Sequence, residues 1–170
     1  QVRVSKLLKT NAAGLPWLGT FHSISAKILR KHAEAVGLKS NFTIIDQEDQ
    51  VRLIKNICKA ENIDIKKIAP QYILAIIDKW KNKGWYPSDV SVSKIDNLEK
   101  QFLNVYKLYQ QKLLDLNVCD FGDLLLHCVK LFEQNPDISR LYSKNFKFIL
   151  VDEYQDTNHI QSKWLKLLSE

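Results

Sequence analysis

From Asp46 to Leu116 the apolar residues recur three and four apart almost without a break, and no other feature restricts the fold of this chain so much. Val51, Ile54, Ile57 and Cys58 share one face of a first helix, opened by Asp46 and Asp49 in the manner of a capping box. Pro70 suits the first position of a second helix, which buries Tyr72, Ile73, Ile76, Ile77 and Trp80 and stops at Lys83-Gly84. After a turn through Pro87, a long helix from about Ser91 or Lys94 to Asn117 carries Leu98, Phe102, Val105, Tyr109, Leu113 and Leu116. Residues 40–116 are therefore expected to form an all-helical unit with no strand.

The flanks read differently. Residues 4–8 look like the tail of a helix, and Leu15 to Thr20 read as a short strand. Thr20-Phe21-His22-Ser23 then begins a helix with Ile24, Ile28 and Leu29 at helical spacing, which stops near Gly37. That junction puts Thr20, His22 and Ser23 beside the exposed N–H groups of a helix N-terminus, where the dipole favours an anion. On the far side, Asp120-Phe121-Gly122-Asp123 opens a helix with the stripe Leu124, Leu125, Cys128, Leu131 and Phe132, ended by Asn135-Pro136. A short helix near Asp137 to Ser143 and a last one from about His159 to Leu168 bracket the apolar run Phe146 to Val151.

That run reads as a buried β-strand delivering Asp152 and Glu153 to its carboxyl end, the edge at which open α/β sheets bind ligands. An acidic residue after an apolar strand is the usual holder of the Mg²⁺ that bridges nucleotide phosphates, so the segment looks like a Walker B element. Asp152 supplies a hard anionic oxygen, Glu153 is placed to orient or deprotonate a water, and Gln155 offers an amide to a phosphate or metal-bound water. The plain alternative is a solvated strand end. A working site also needs a Gly-x-x-x-x-Gly-Lys-Ser/Thr phosphate loop, and these 170 residues contain none.

Charge adds a partner class. The net charge of +6 and pI near 9.1 favour a polyanion, and Lys66, Lys67, Lys79, Lys81 and Lys83 face only Asp78 in their stretch. Trp80, Trp85 and Tyr86 interleave with these lysines, a mix suited to single-stranded nucleic acid; Trp80 lies on the apolar stripe and is assigned to the core, leaving Trp85 and Tyr86 freer. A solvated lysine-rich helix face is the competing reading. The three cysteines have no Cys-x-x-Cys pairing and read as small buried hydrophobes. His32, His127 and His159 lack ligand spacing, whereas His22 sits in the anion-favouring junction. No stretch is long and apolar enough to span a bilayer and no signal-peptide layout opens the chain, which makes a cytoplasmic location the default and excludes a membrane partner. A first residue Gln1 and the lack of methionine suggest a piece of something longer.

Three motifs in order, Leu18-Gly19-Thr20-Phe21-His22-Ser23, Asp120-Phe121-x-Asp123-Leu124-Leu125 and Val151-Asp152-Glu153-Tyr154-Gln155-Asp156-Thr157-Asn158, resemble the UvrD/Rep/PcrA family of superfamily 1 DNA helicases. Asn41 to Asp46 and the Asp49-Gln50 helix start are similar to that family's inserted subdomain. The resemblance implies a mainly α fragment with a small parallel β remnant, cut from a RecA-like P-loop NTPase core that carries an all-helical insertion. It implies residues 1–39 and 117–170 in subdomain 1A and residues 40–116 in subdomain 1B. Asp152 would hold Mg²⁺ on ATP, Glu153 would activate water, and Gln155 would couple nucleotide state to DNA. Thr20, Phe21, His22 and Ser23 would contact single-stranded DNA, with Lys79, Lys81 and Lys83 as a second basic contact. The implied partners are single-stranded and duplex DNA and the remaining helicase subdomains, with exposed strand edges as a route to oligomers.

The implied activity is 3′→5′ unwinding in repair and replication. Without the phosphate loop, this chain alone is expected to bind no ATP or Mg²⁺ and to be inactive. Gly122 departs from the family's usual Asp, which leaves that carboxylate's role open. A non-enzymatic nucleic-acid-binding module built on the basic stretch, and a helical protein-interaction scaffold, are the rival readings.

Overall fold

Two hydrophobic cores, with a buried ion cluster between them, organise residues 17–169, the part of the chain that the computed structural model describes. Among those residues the order is α1 (Phe21–Lys31), a 3₁₀ turn Ala33–Val36, β1 (Thr43–Ile44), α2 (Gln47–Ala60), α3 (Pro70–Asn82), α4 (Asn97–Asp115), β2 (Val118–Cys119), α5 (Phe121–Gln134), α6 (Pro136–Asn145) and α7 (His159–Ser169). The fold is thus mainly helical with one small parallel sheet.

The helix starts follow the local chemistry. Thr20, Asp46, Asp96 and Asp120 each turn a side-chain oxygen onto the backbone N–H three residues ahead, at 3.2, 2.9, 2.7 and 2.8 Å. Each such cap is worth about 1 kcal/mol. Pro70 opens α3 at a position whose N–H has no helical partner, and Gly37, with φ of 81°, ends the 3₁₀ turn in the left-handed region.

One core joins α1, α5, α6 and α7 through Ile28, Leu29, Leu125, Phe132, Tyr142 and Trp164. The other joins α2, α3 and α4 through Ile54, Ile73, Ile77, Trp80, Phe102 and Tyr106. Burying each of these large side chains contributes about 1.5–3 kcal/mol. All three cysteines are free and buried, and Trp80 is a core residue as its place on the stripe predicts.

The sheet is not where the sequence puts it. Strands β1 and β2 pair in parallel, Thr43 opposite Val118 and Ile44 opposite Cys119. They bring together the segments that enter and leave the α2–α4 unit, so a strand stands inside the span expected to have none. The expected strand at Phe146–Val151 is absent: the segment is irregular, Phe148 is 88% exposed and Leu150 97% exposed. An apolar run becomes a strand only when neighbouring backbone accepts its hydrogen bonds, and no strand among the described residues pairs with this one. Residues 17–20 form a turn and bend rather than a strand. The remainder of that expected strand, and the helix tail at 4–8, lie outside the described residues.

Candidate nucleotide and DNA site

The first motif is built at the N-terminus of α1. Thr20 and Ser23 are exposed and interlocked: Ser23 N donates to Thr20 Oγ1 at 3.2 Å, and Ser23 Oγ donates to the Thr20 carbonyl at 3.0 Å. A Cβ at Gly19 would lie 2.4 Å from Ser23 Oγ, so a larger residue there turns that hydroxyl away from the Thr20 carbonyl. Phe21 turns into the first core, edge-on to Trp164 at 5.6 Å, so its part is to anchor the junction rather than to present an exposed ring. His22 is half-buried; burial lowers its pKa, and the ring is neutral at physiological pH. It lies 5.4 Å from the ring of Phe121, which is 57% exposed at the first position of α5. The sequence reading missed Phe121, although it falls off the Leu124-Leu125-Cys128 stripe while following a helix cap.

The acidic motif is a loop rather than a strand end. Asp152, Glu153 and Gln155 are exposed. Asp152 Oδ1 accepts the Glu153 N–H at 3.0 Å, and Gln155 Nε2 donates to Glu153 Oε2. Glu153 sits in the left-handed region with φ of 49°; among the described residues the other non-glycine residues so placed are Asn62 and Asn117, a type that tolerates it. A glutamate held there carries about 1 kcal/mol or more of backbone strain, a cost that clusters at functional loops. Residues 154–156 make a 3₁₀ turn.

Among the described residues no group of three His, Cys, Asp or Glu side chains is assembled to hold a metal. Asp152 still fits Mg²⁺, which binds through one or two carboxylates and takes its remaining oxygens from phosphates and water; Asp152 offers an exposed carboxylate that its one backbone contact leaves partly open.

The two motifs share one groove, a cavity of about 460 Å³ whose walls include Thr20, His22, Phe148, Asp152 and Trp164. Their chain separation exceeds a hundred residues; the packing of α1 and α7 on α5 closes it.

The basic stretch divides. Lys79 on α3 and Lys83 at its C-cap are exposed, and Lys83 Nζ lies 4.5 Å over the Trp85 ring. Lys81 does not belong with them. Its side chain is 1% exposed, with Nζ 2.6 Å from Asp120 Oδ2 and 2.7 Å from Asp123 Oδ1, so it is a structural ion and not a DNA contact. Tyr109 OH donates to Asp120 Oδ2 at 3.0 Å and Gln110 Nε2 to Asp123 Oδ1 at 3.0 Å. Burial alone would lower the Lys81 pKa, but the two carboxylates outweigh it and hold the value above its ordinary 10.5. Burial pushes Asp123 up, and the Lys81 charge with the hydrogen bonds from Lys81 and Gln110 reverses this and holds it low.

Tyr86, expected to be freer, is drawn into the same cluster: its OH lies 2.6 Å from His127 Nδ1. Burial raises Tyr86 and lowers His127, so the phenol donates to a neutral imidazole whose Nε2–H faces Asp123 Oδ1 at 4.0 Å. The sequence hides this cluster because Lys81 stands 39 and 42 residues from its partners.

Gly122 is explained by Lys81. A Cβ at Gly122 would come within 2.8 Å of Lys81 Cδ, a side chain that two ion pairs prevent from moving aside.

The match to known proteins covers these motifs and everything between them. The model of the UvrD/REP helicase N-terminal domain matches residues 1–170. The chain belongs to this family. A probable DNA helicase II homolog of Rickettsia felis is 46% identical over 170 residues, covering 98% of this chain and 26% of the relative. DNA helicase II of Haemophilus influenzae is 42% identical over 153 residues, 90% of this chain and 21% of the relative. The ATP-dependent DNA helicase PcrA of Staphylococcus aureus is 40% identical over 167 residues, 98% and 23%. The chain thus spans about a quarter of the length of these UvrD/REP relatives. Among the described residues no helix is long and apolar enough to cross a membrane.

Proposed function

We propose that this chain is the part of an ATP-dependent DNA helicase that links the Mg²⁺-and-water half of the ATPase site to a single-stranded DNA contact. The observation that carries the reading is the groove in which Thr20 and His22 stand with Asp152. The separation into two cores supports assigning residues 1–39 and 117–170 to a RecA-like subdomain 1A and residues 40–116 to an inserted subdomain 1B. In the complete protein, parallel strands would flank Phe146–Val151 and turn it into the Walker B strand.

Phosphoryl transfer is catalysed by positioning and charge, with little covalent work for the protein. Asp152 would hold Mg²⁺, which neutralises charge developing on the phosphates when bound. Glu153, exposed in the loop, accepts a proton from the attacking water. Gln155, bonded to Glu153, reports the state of that carboxylate to the rest of the loop. At the other wall of the groove, Thr20 and the neutral His22 ring donate to the DNA backbone, with Ser23 holding the Thr20 junction in place; beside His22, the exposed Phe121 ring offers a face to a base. Exposed Lys79 and Lys83 add salt-dependent affinity. Translocation is 3′→5′ and serves repair and replication, in the cytoplasm.

The phosphate loop Lys and amides supply much of the catalysis in this chemistry, so the 170-residue chain alone neither binds ATP tightly nor hydrolyses it. DNA-stimulated ATPase activity from the purified chain would refute that statement. In the complete protein, Glu153→Gln lowers kcat for ATP by about 10²–10⁴-fold while ATP binding persists; an unchanged kcat removes Glu153 from the mechanism.

A further inference from the structure

The last two residues of α3 reach both motif-bearing elements at once. Lys81 pins Asp120 and Asp123, and so the N-terminus of α5 that carries Phe121 against His22. Asn82, the next residue, accepts at Oδ1 a hydrogen bond from Asn158 Nδ2 at 3.0 Å. Successive helix residues point about 100° apart, so one helix end wedged between two neighbours addresses both.

Asn158 is the downstream anchor of the acidic loop. Its Oδ1 accepts the Gln161 N–H at 3.0 Å and its own N–H donates to Gln161 Oε1 at 3.1 Å, a reciprocal cap on α7. Immediately before it, Thr157 Oγ1 donates to the Tyr154 carbonyl at 2.8 Å and lies 3.2 Å from Ser162 Oγ. The loop that bears Asp152, Glu153 and Gln155 is therefore tied to α7, and Asn82 holds that tie from α3. Gly84, at φ of 78°, brings the end of α3 beside Ile160, whose Cγ1 lies 4.0 Å from where a Cβ would stand.

We propose that Lys81-Asn82 is a coupling tie of the helicase. Lys81 positions the DNA-side junction through Asp120 and Asp123, and Asn82 positions the nucleotide loop through Asn158. A shift at either junction is carried to the other by one rigid helix end that belongs to the helical insert. Asn82 and Asn158 are positioning residues, neither placed on substrate. This inference rests on the helicase reading and adds to it a route between the two sites.

The test is ATP turnover of the complete protein with and without single-stranded DNA. Asn82→Ala lowers the stimulated-to-unstimulated ratio by about five-fold or more, with KM for ATP and DNA affinity within about two-fold of the parent. Asn82→Asp keeps an acceptor for Asn158 Nδ2 and restores the ratio. Asn158→Asp keeps the α7 cap, and the Asn82 amide turns over to donate to it, so this variant also behaves as the parent. The double variant Asn82→Asp, Asn158→Asp sets two carboxylates face to face and loses the ratio again. An unchanged ratio in Asn82→Ala, or a double variant that matches its harmless singles, overturns the coupling tie. A parent protein without DNA-stimulated turnover overturns the helicase reading and the tie with it.

Discussion

The chain carries two pairs of carboxylates at the starts of loops or helices, and they live in opposite worlds. Asp120 and Asp123 are 1% and 0% exposed, and between them they accept from an ammonium, a phenol, an amide and the backbone. Asp152 and Glu153 are exposed, and their contacts are made within their own loop. A buried carboxylate that the protein leaves unsatisfied costs stability or takes up a proton. An exposed one costs nothing to leave open and is free to meet a cation or a water. The difference separates an acidic motif that holds two cores together from one that is available for chemistry.

The comparison is broken most forcefully at Lys81. Lys81→Ala strands two buried carboxylates and is expected to cost about 3–5 kcal/mol in urea unfolding; a loss under 1 kcal/mol means that water reaches the cluster. Next comes Gly122→Ala. At an ordinary helical site this change stabilises by about 0.5–1 kcal/mol. Here it meets the pinned Lys81 side chain and is expected to destabilise by about 1–2 kcal/mol; a gain in stability shows that Lys81 moves freely.

A smaller effect tests the field of the buried pair. Burial first, and then Asp120, push the Asp78 carboxyl from its ordinary 3.8 up to about 6. The native state therefore binds this proton more tightly than the unfolded chain, and Asp78 removes stability as pH rises from about 4 through 6. Asp78→Asn is expected to stabilise by about 1 kcal/mol at pH 7 and to make almost no difference at about pH 3, below the unfolded-state value, a modest figure because the group is partly solvated. Equal effects at both pH values would separate Asp78 from the cluster. The smallest change is expected at the exposed pair. Asp152→Asn and Glu153→Gln shift stability by less than about 0.5 kcal/mol, measured by the same unfolding transitions. A large loss from either would make that loop structural after all.

Much of the fold was legible locally. The starts of α2, α3 and α5 follow from Asp46, Pro70 and Asp120, because a cap is a contact three residues long. The core positions Trp80, Ile54 and Phe102 follow from helical spacing alone. What failed were statements that gave a particular residue or segment its distant partner. Phe146–Val151 has strand composition, yet a strand is an agreement between two backbones. Lys81 sits in a basic run like its neighbours Lys79 and Lys83, yet it points inward, and only the packing of α3 on α5 sets it apart.

The three motifs, Leu18 to Ser23, Asp120 to Leu125 and Val151 to Asn158, placed the chain in its family from sequence alone, because each is a short string of residue types that stand together in the chain. The tertiary structure alone decided which charges are buried, that Thr20 and Asp152 share a groove, and that Asn82 holds Asn158. The physical reason is range. Caps and periodicity act over a few residues, whereas burial, ion pairing and shared clefts are set by segments that are neighbours only after the two cores have formed.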